Sequence, residues 1–388
     1  MAELKFPDSF LWGASTAAYQ VEGGIENVDW AQAAREGKVP AAGRACDFYN
    51  RFESDFDIAV SLGMNAQRFS IEWARIEPEE GKFDEQEIAH YRAVFAALKA
   101  RGLTPIPNLW HFTLPLWFSE RGGFLNKKAP EVFARYCRFV IERLGDESDL
   151  WLTHNEPMVY SGKGYWDGVW PPFLKSPVQH LRVISAIAAA HRAAYTVMKA
   201  ARPQIQVGIA KHNIFFESNA NPLNRIRCAV TDWFWNHRFL RLIAGYQDFI
   251  GLNHYHHRKF GATPGEQAAA VRSDMGWELH PTSLYHCLVG LKRYGLPIYV
   301  SEHGLADATD SRRAEFIRNA ARSLHRALAE DVPVRGYVHW SMLDNYEWTN
   351  GFGPRFGLVE IDYATQKRRI RDSAYVYKQI CEKNALLD

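Results

Sequence analysis

Short apolar runs, rich in β-branched and aromatic residues, recur at 10–14, 65–70, 104–109, 150–154, 206–211, 248–253, 297–302 and 334–341. Runs of this length read as strands buried on both faces. The stretches between them carry a different period. Ile88, Tyr91, Val94, Phe95 and Leu98 share one helical face, and Gly102 follows as a stop. Val132, Phe133, Tyr136, Phe139 and Val140 repeat the spacing before Gly145, and Leu181, Ile184, Ile187, Ala188 and His191 do so again. Leu284, Leu288 and Leu291 precede Gly295; Phe316, Ile317, Ala320 and Leu324 precede Pro333. Strands alternating with helices in this way predict an α/β fold, a single (β/α)8 barrel over residues 1–388, with its chemistry at the C-terminal ends of the strands. An open doubly wound sheet would show the same alternation, but no G-x-G-x-x-G follows the first run.

The residues that close these runs are polar or aromatic. Gln20 follows the first run and Arg68 sits in the second; Trp110 and His111 end the third, and Asn155 and Glu156 end the fourth, in "THNEP". Asn253 and Tyr255 close the sixth, Glu302 the seventh, in "VSEHG", and Trp340, Glu347 and Trp348 follow the eighth. Two carboxylates, Glu156 and Glu302, are thereby expected to face one barrel mouth. Cleavage of a glycosidic bond needs such a pair: one protonates the leaving oxygen, the other attacks or activates water. Arg68 cannot shed its charge, so on a barrel strand it needs a buried anion, and Glu302 is the natural partner. Taken singly, these residues have plainer readings. A strand-end glutamate is commonly a solvated loop residue, His111 could be a satisfied residue behind the site, and His191, on an apolar helix face, reads as core. His254, His256 and His257 lie together, but without H-E-x-x-H or a matching carboxylate frame no metal is expected.

Composition narrows the partners. Hydrophobic content of 47% and charged content of 23% fit a globular protein with a large core. The net charge is +2 and no run of five like charges occurs, so neither nucleic acid nor a membrane surface is expected as a partner. No 18-residue apolar stretch occurs, and "MAELKFPDSFLWG" has no basic segment leading into an apolar one, so neither a membrane span nor a leader is expected. The five cysteines are scattered without a C-x-x-C, which fits reduced thiols in a cytoplasm. Aromatic content is 14%, and Trp110, Trp117, Trp166, Trp170, Trp340 and Trp348 stand beside polar punctuation. Aromatic faces with polar rims suit sugars, and an aromatic core accounts for them equally well.

Several blocks decide between these readings. "FPDSFLWGASTAAYQVEGG", "GMNAQRFSIEWARIEP", "THNEP" and "HWSMLDNYEW…GFGPRFGLVEID" occur in an order that resembles the family 1 retaining β-glycosidases over nearly the whole chain. The resemblance implies that Glu156 is the general acid/base and Glu302 the nucleophile. It places Gln20, His111, Asn155, Trp340, Glu347 and Trp348 on the glycone, and Arg68, Asn253 and Tyr255 beside the nucleophile. It implies no metal and no cofactor, and small β-glycosides or short oligosaccharides as substrates: β-glucosides first, with β-galactosides or β-fucosides. Two positions depart from the family pattern. Ser301-Glu302-His303-Gly304 replaces T-E-N-G, and Thr113 stands where Asp is usual. A 6-phospho-β-glycosidase and a transglycosylase are the alternatives on the same scaffold; a catalytically silent sugar-binding barrel and a metal-dependent hydrolase are more distant ones. Glu347 argues against the phospho-sugar, since a carboxylate there would repel it. The natural aglycone and the oligomeric state are not legible in the sequence.

Overall fold

The computed structural model describes residues 3–387. Eight strands form a closed barrel in chain order. They are β1 Leu11–Ser15, β2 Ala66–Ser70, β3 Thr104–Asn108, β4 Leu150–Asn155, β5 Gln206–Ser218, β6 Phe249–Phe260, β7 Ile298–His303 and β8 Val334–His339. All neighbours run parallel, and β8 returns to pair with β1, Val338 beside Gly13. The expected (β/α)8 barrel is therefore present. Its lower interior is filled by one cluster to which every strand contributes: Leu11, Ala66, Ile106, Leu150, Leu152, Ala210, Phe249, Tyr299 and Val338. This is a packed core, so a ligand has room only above it, where the inward side chains turn polar.

The outer layer follows the helical faces read from the sequence. Helix Glu85–Ala100 buries Ile88, Tyr91, Val94, Phe95 and Leu98, and the Asp84 carboxylate caps it by accepting from the N–H groups of Gln86 and Glu87. Helix Ala129–Leu144 starts on Pro130, whose missing N–H costs nothing in a first turn, and buries Phe133, Tyr136 and Val140. His191 is core, bonded to the Thr153 hydroxyl and the Tyr246 carbonyl, both at 2.7 Å. Leu181 departs from expectation: it is 41% exposed. Its helix, Pro177–Ala201, buries the neighbouring His180, Val183 and Ile184, while Leu181 itself lines a cavity.

Two strands outrun their sequence boundaries. β5 and β6 continue past the barrel as a parallel ribbon, with Phe215 beside His257 and Ser218 beside Phe260. The polar residues from His212 onward break the apolar pattern without breaking the ladder. Two short antiparallel pairs were not foreseen: Glu3–Lys5 with Ala385–Leu387, and Val359–Asp362 with Lys367–Ile370. The sequence "KRRI" has no strand pattern of its own. Arg368 is held there by Asp55 at 2.8 and 2.9 Å. No cysteine is paired among the described residues, and no described helix is long and apolar enough to cross a membrane.

Candidate active site

At the C-terminal end of the barrel lies a cavity of about 840 Å³, the size of a ligand pocket. Gln20, His111, Asn155, Glu156, Tyr255, Glu302, Trp340, Glu347 and Trp348 all line it. Arg68 and Asn253 lie immediately beneath, fully buried. Trp110 does not line it; its indole N–H is satisfied by the Thr113 carbonyl at 2.9 Å within an aromatic cluster.

Strand β4 delivers its two residues by a local distortion. The register of β4 against β5 shifts between Leu152 and Asn155. The Asn155 N–H then bonds to the Trp110 carbonyl at 2.9 Å and the Glu156 N–H to the Ala210 carbonyl at 2.8 Å. Glu156 adopts a left-handed backbone (φ 45°) immediately before Pro157, the first residue of helix Pro157–Ser161. A residue before proline is barred from the ordinary helical conformation, so the chain must turn here, and the turn aims the carboxyl into the cavity. Phe112 (φ 74°) and Trp348 (φ 53°) line the same cavity in the same conformation. Each such residue costs on the order of 1–3 kcal/mol, and their gathering at one cavity marks a functional site.

Beneath the floor, hydrogen bonds join five strands. The Arg68 guanidinium forms an ion pair with Glu302 and donates to Ser15 Oγ at 2.9 Å and Asn155 Oδ1 at 2.8 Å. The Tyr255 hydroxyl donates to the second Glu302 oxygen at 2.6 Å. Both oxygens of Glu302 thus accept, from a guanidinium and a phenol, as an ionised carboxylate does. Asn253 is placed differently from expectation. It donates to Glu156 Oε1 at 2.8 Å and Asn155 Oδ1 at 3.1 Å, and accepts from Ser301 Oγ at 2.7 Å. The register of β6 against β7 shifts beside Asn253, and its amide faces β4, so it serves the carboxyl opposite the one assigned.

The two carboxyls sit in different fields. Burial pushes the Glu156 pKa up to about 8, and the charge on Glu302 adds to the shift; the Asn253 hydrogen bond, Arg68 and buried Lys211 oppose it. At neutral pH Glu156 therefore holds its proton. Burial and the Glu302 charge also raise Glu347 to about 8. Burial, with the charge of Arg68, holds His111 well below the usual imidazole range, so that its ring is neutral. Gln20 Oε1, one Glu347 oxygen and one His111 nitrogen are buried without a hydrogen-bond partner, while their residues line the cavity. Buried polar atoms rarely stay unpaired, and this set suits a ligand with several hydroxyls. The His111 ring lies nearly parallel to Trp340 (13°) and Trp348 (10°).

Both departures from the family pattern fall behind the site. Thr113 donates its hydroxyl to the buried Glu72 carboxylate at 2.9 and 3.1 Å and does not line the cavity. His303 points outward from β7, stacks on Phe316 at 4.4 Å and lies 3.2 Å from the Tyr337 hydroxyl. Gly304 follows it because a Cβ there would collide with the Trp340 carbonyl.

The mouth is built from residues that sequence reasoning did not assign. Val159, Leu181, Phe234, Trp235, Met275 and Trp277 line it, with Trp166 and Trp170, which the aromatic content alone had marked. They come from helix Pro157–Ser161, the start of helix Pro177–Ala201, two π-helical segments (Gly162–Asp167 and Trp233–His237), the turn after the first of these, and the loop before helix Ser283–Leu291. Their one sequence signal is the density of aromatics outside the strands.

A family model described as glycosyl hydrolase family 1 matches residues 2–240 and 232–386. Beta-glucosidase A of Thermotoga maritima is 32% identical over 99% of this chain and 99% of its own. A beta-galactosidase of Saccharolobus solfataricus is 30% identical over 99% and 96%. Among solved structures, a beta-glycosidase from Pyrococcus horikoshii superposes with a TM-score of 0.93 at 37% identity, covering 100% of this chain and 97% of its own. The Thermotoga maritima beta-glucosidase in complex with castanospermine gives 0.92 at 30% identity, over 99% and 100%. The opposed glutamates thus stand in a chain that matches these proteins from end to end, and it belongs to glycosyl hydrolase family 1, as a hydrolase of the β-glucosidase type.

Proposed function

We propose that this enzyme hydrolyses terminal, non-reducing β-D-glucosides, and the corresponding β-galactosides and β-fucosides, by double displacement. Glu302 attacks the anomeric carbon while Glu156 gives its proton to the leaving oxygen, and a covalent glycosyl-enzyme results. Glu156, now ionised, takes a proton from water as the water attacks the same carbon. The bond to Glu302 breaks as the bond to water forms, and the sugar departs with its β configuration retained. Arg68 and Tyr255 position the nucleophile. Asn253 holds Glu156 and Asn155 in register, and Asn155 is placed to bind the sugar beside the scissile bond. Gln20, His111, Trp340, Glu347 and Trp348 hold the remaining hydroxyls. Small β-glycosides or short oligosaccharides are the substrates, and the unpaired cysteines fit a reducing cytoplasm. The observation that carries this reading is the asymmetry of the pair. Glu302 accepts from both Arg68 and Tyr255, while Glu156 accepts from the neutral Asn253 amide, and burial with the Glu302 charge pushes its pKa up.

A 6-phosphate finds little to hold it. Among the described residues lining the cavity, Lys163 alone carries a fixed positive charge, and it is paired with Asp167 at 2.8 Å. Arg355 lies outside the cavity and bonds to Asp344 at 3.3 Å. Glu347, ionised or protonated, supplies no cation. The test has two parts. The anomer first released from an aryl β-glucoside, followed by proton NMR, is expected to be β; release of the α anomer contradicts double displacement. In direct competition the neutral glucoside is expected to be preferred, and preference for its 6-phosphate would promote the phospho-glycosidase reading.

A further inference from the structure

The ribbon formed by the outer halves of β5 and β6 carries a second cluster of titratable groups, outside the cavity. Glu217 stands on β5 and His257 on β6. His280 comes from the loop that precedes helix Ser283–Leu291, where its carbonyl accepts from the Ser283 N–H at 3.1 Å and hydroxyl at 2.9 Å. One ligating atom from each of the three lies within 4.8 Å of the others. His257 is only 8% exposed, and neither of its ring nitrogens has a hydrogen-bond partner. One of them, Nε2, lies 3.5 Å from Glu217 Oε1; the other, Nδ1, lies 3.3 Å from Glu278 Oε2. His280 Nδ1 is likewise buried and unpaired, and the two imidazole rings are 4.4 Å apart. Phe215 packs against both rings and walls the cluster.

We propose that Glu217, His257 and His280 form a binding site for a divalent transition ion of the zinc class. Two imidazoles and one carboxylate are ligands for zinc rather than for magnesium or calcium, which prefer oxygen throughout. Bonds of about 2.0–2.1 Å to a tetrahedral ion put ligand atoms roughly 3.3–3.5 Å apart. The His257–Glu217 separation already meets that spacing, and a modest side-chain rotation closes the rest. Glu278 faces the other nitrogen of His257, where a carboxylate commonly orients a ligating imidazole. Burial and the neighbouring His257 lower the pKa of His280, which favours the neutral ring a metal requires. Lys259 lies near Glu217 at 3.6 Å, but its closer partner is Glu266 at 2.7 Å.

None of the three ligands lines the cavity, and the site's existence does not depend on the roles given to Glu156 and Glu302. Its effect is on the mouth. The loop that supplies Glu278 and His280 also supplies Met275 and Trp277, which line the cavity, and Trp277 packs on Tyr255 and His256. An ion bridging the loop to the ribbon would fix that wall. The competing account is a protonated His257 held between two carboxylates with no ion.

Calorimetric titration of chelator-treated enzyme with zinc chloride separates the two. One saturable site of micromolar affinity or tighter is expected, with a higher Tm when zinc is present. His257→Ala and Glu217→Gln should each abolish that binding, and Glu278→Gln should weaken it about tenfold or more. All three should retain aryl β-glucoside hydrolysis within about twofold, which also checks their folding. Glu217→Gln, the smallest change, carries the test if His257→Ala does not fold. Absence of saturable binding in the parent enzyme, or equal affinity in the parent and Glu217→Gln, overturns the proposal.

Discussion

The floor and the mouth of the cavity are built on opposite rules. Floor residues come from strand ends, are buried apart from the half-buried Tyr255, and are locked to one another: Arg68 to Glu302 and Asn155, Asn253 to Asn155 and Glu156, Tyr255 to Glu302. Mouth residues come from helix starts and loops, are largely apolar, and include Trp166 at 57% exposure and Leu181 at 41%. A floor of this kind fixes atoms to within the tolerance that bond cleavage demands, because Arg68, Asn155, Asn253 and Glu302 each have more than one partner. The mouth offers area without fixed direction, which suits leaving groups of varied shape. Chemistry should therefore be brittle to change at the floor and tolerant at the mouth.

Removing the proposed nucleophile should show the largest effect. Glu302→Gly is expected to lower kcat for aryl β-glucosides by about 10⁴–10⁶-fold, in the range seen when a covalent catalyst is lost elsewhere. Near-parent activity in a folded variant would take Glu302 out of the floor's chemistry. Glu156→Ala comes next, and its cost should depend on the leaving group. Alkyl glucosides, which need protonation, should lose about 10²–10⁴-fold in the rate of glycosylation, and dinitrophenyl glucoside far less. An equal loss for both would show that Glu156 is not the acid.

The pH profile sharpens the floor further. In the role proposed for it, Glu156 acts as an acid only while protonated, so kcat/KM should fall as pH rises through about 8. The Asn253 hydrogen bond favours the ionised form of Glu156, so Asn253→Ala should move this basic limb to higher pH. Glu347→Gln should leave the limb in place while raising KM, although Glu347 is also pushed up to about 8. A limb that follows Glu347 instead would reassign the titration. The smallest effect belongs to the mouth. Trp166→Ala should raise KM less than tenfold for a large aryl aglycone and leave kcat for a methyl glucoside unchanged. A large fall in kcat there would erase the contrast between the two regions.

The same division explains what was legible in the sequence. The barrel strands could be read because apolar runs of strand length recur with helical periods between them, and the floor followed because its residues are the ones that close those runs. Glu156 and Glu302 were singled out in this way and both line the cavity, and the blocks around them point to one family. Asn253 was read as a partner of Glu302; it stands beside Glu302 on the ladder, but its side-chain amide bonds to Glu156 and Asn155, a direction that the sequence does not carry. Leu181 fitted a helical period, and only the folded chain shows that it lines the cavity, while His180, Val183 and Ile184 of the same turns are buried. The cluster of Glu217, His257 and His280 had no motif to announce it, because the ligands lie on three segments that only the β5–β6 ribbon brings together.

The central claim is that Glu302 attacks the sugar from one face while Glu156 serves the other. The direct measurement is the configuration of the azide product formed by Glu302→Gly acting on an activated β-glucoside. Azide occupying the space of the missing carboxylate attacks from its side, so an α-glucosyl azide is expected, with partial recovery of turnover. A β-glucosyl azide from this variant would contradict the account.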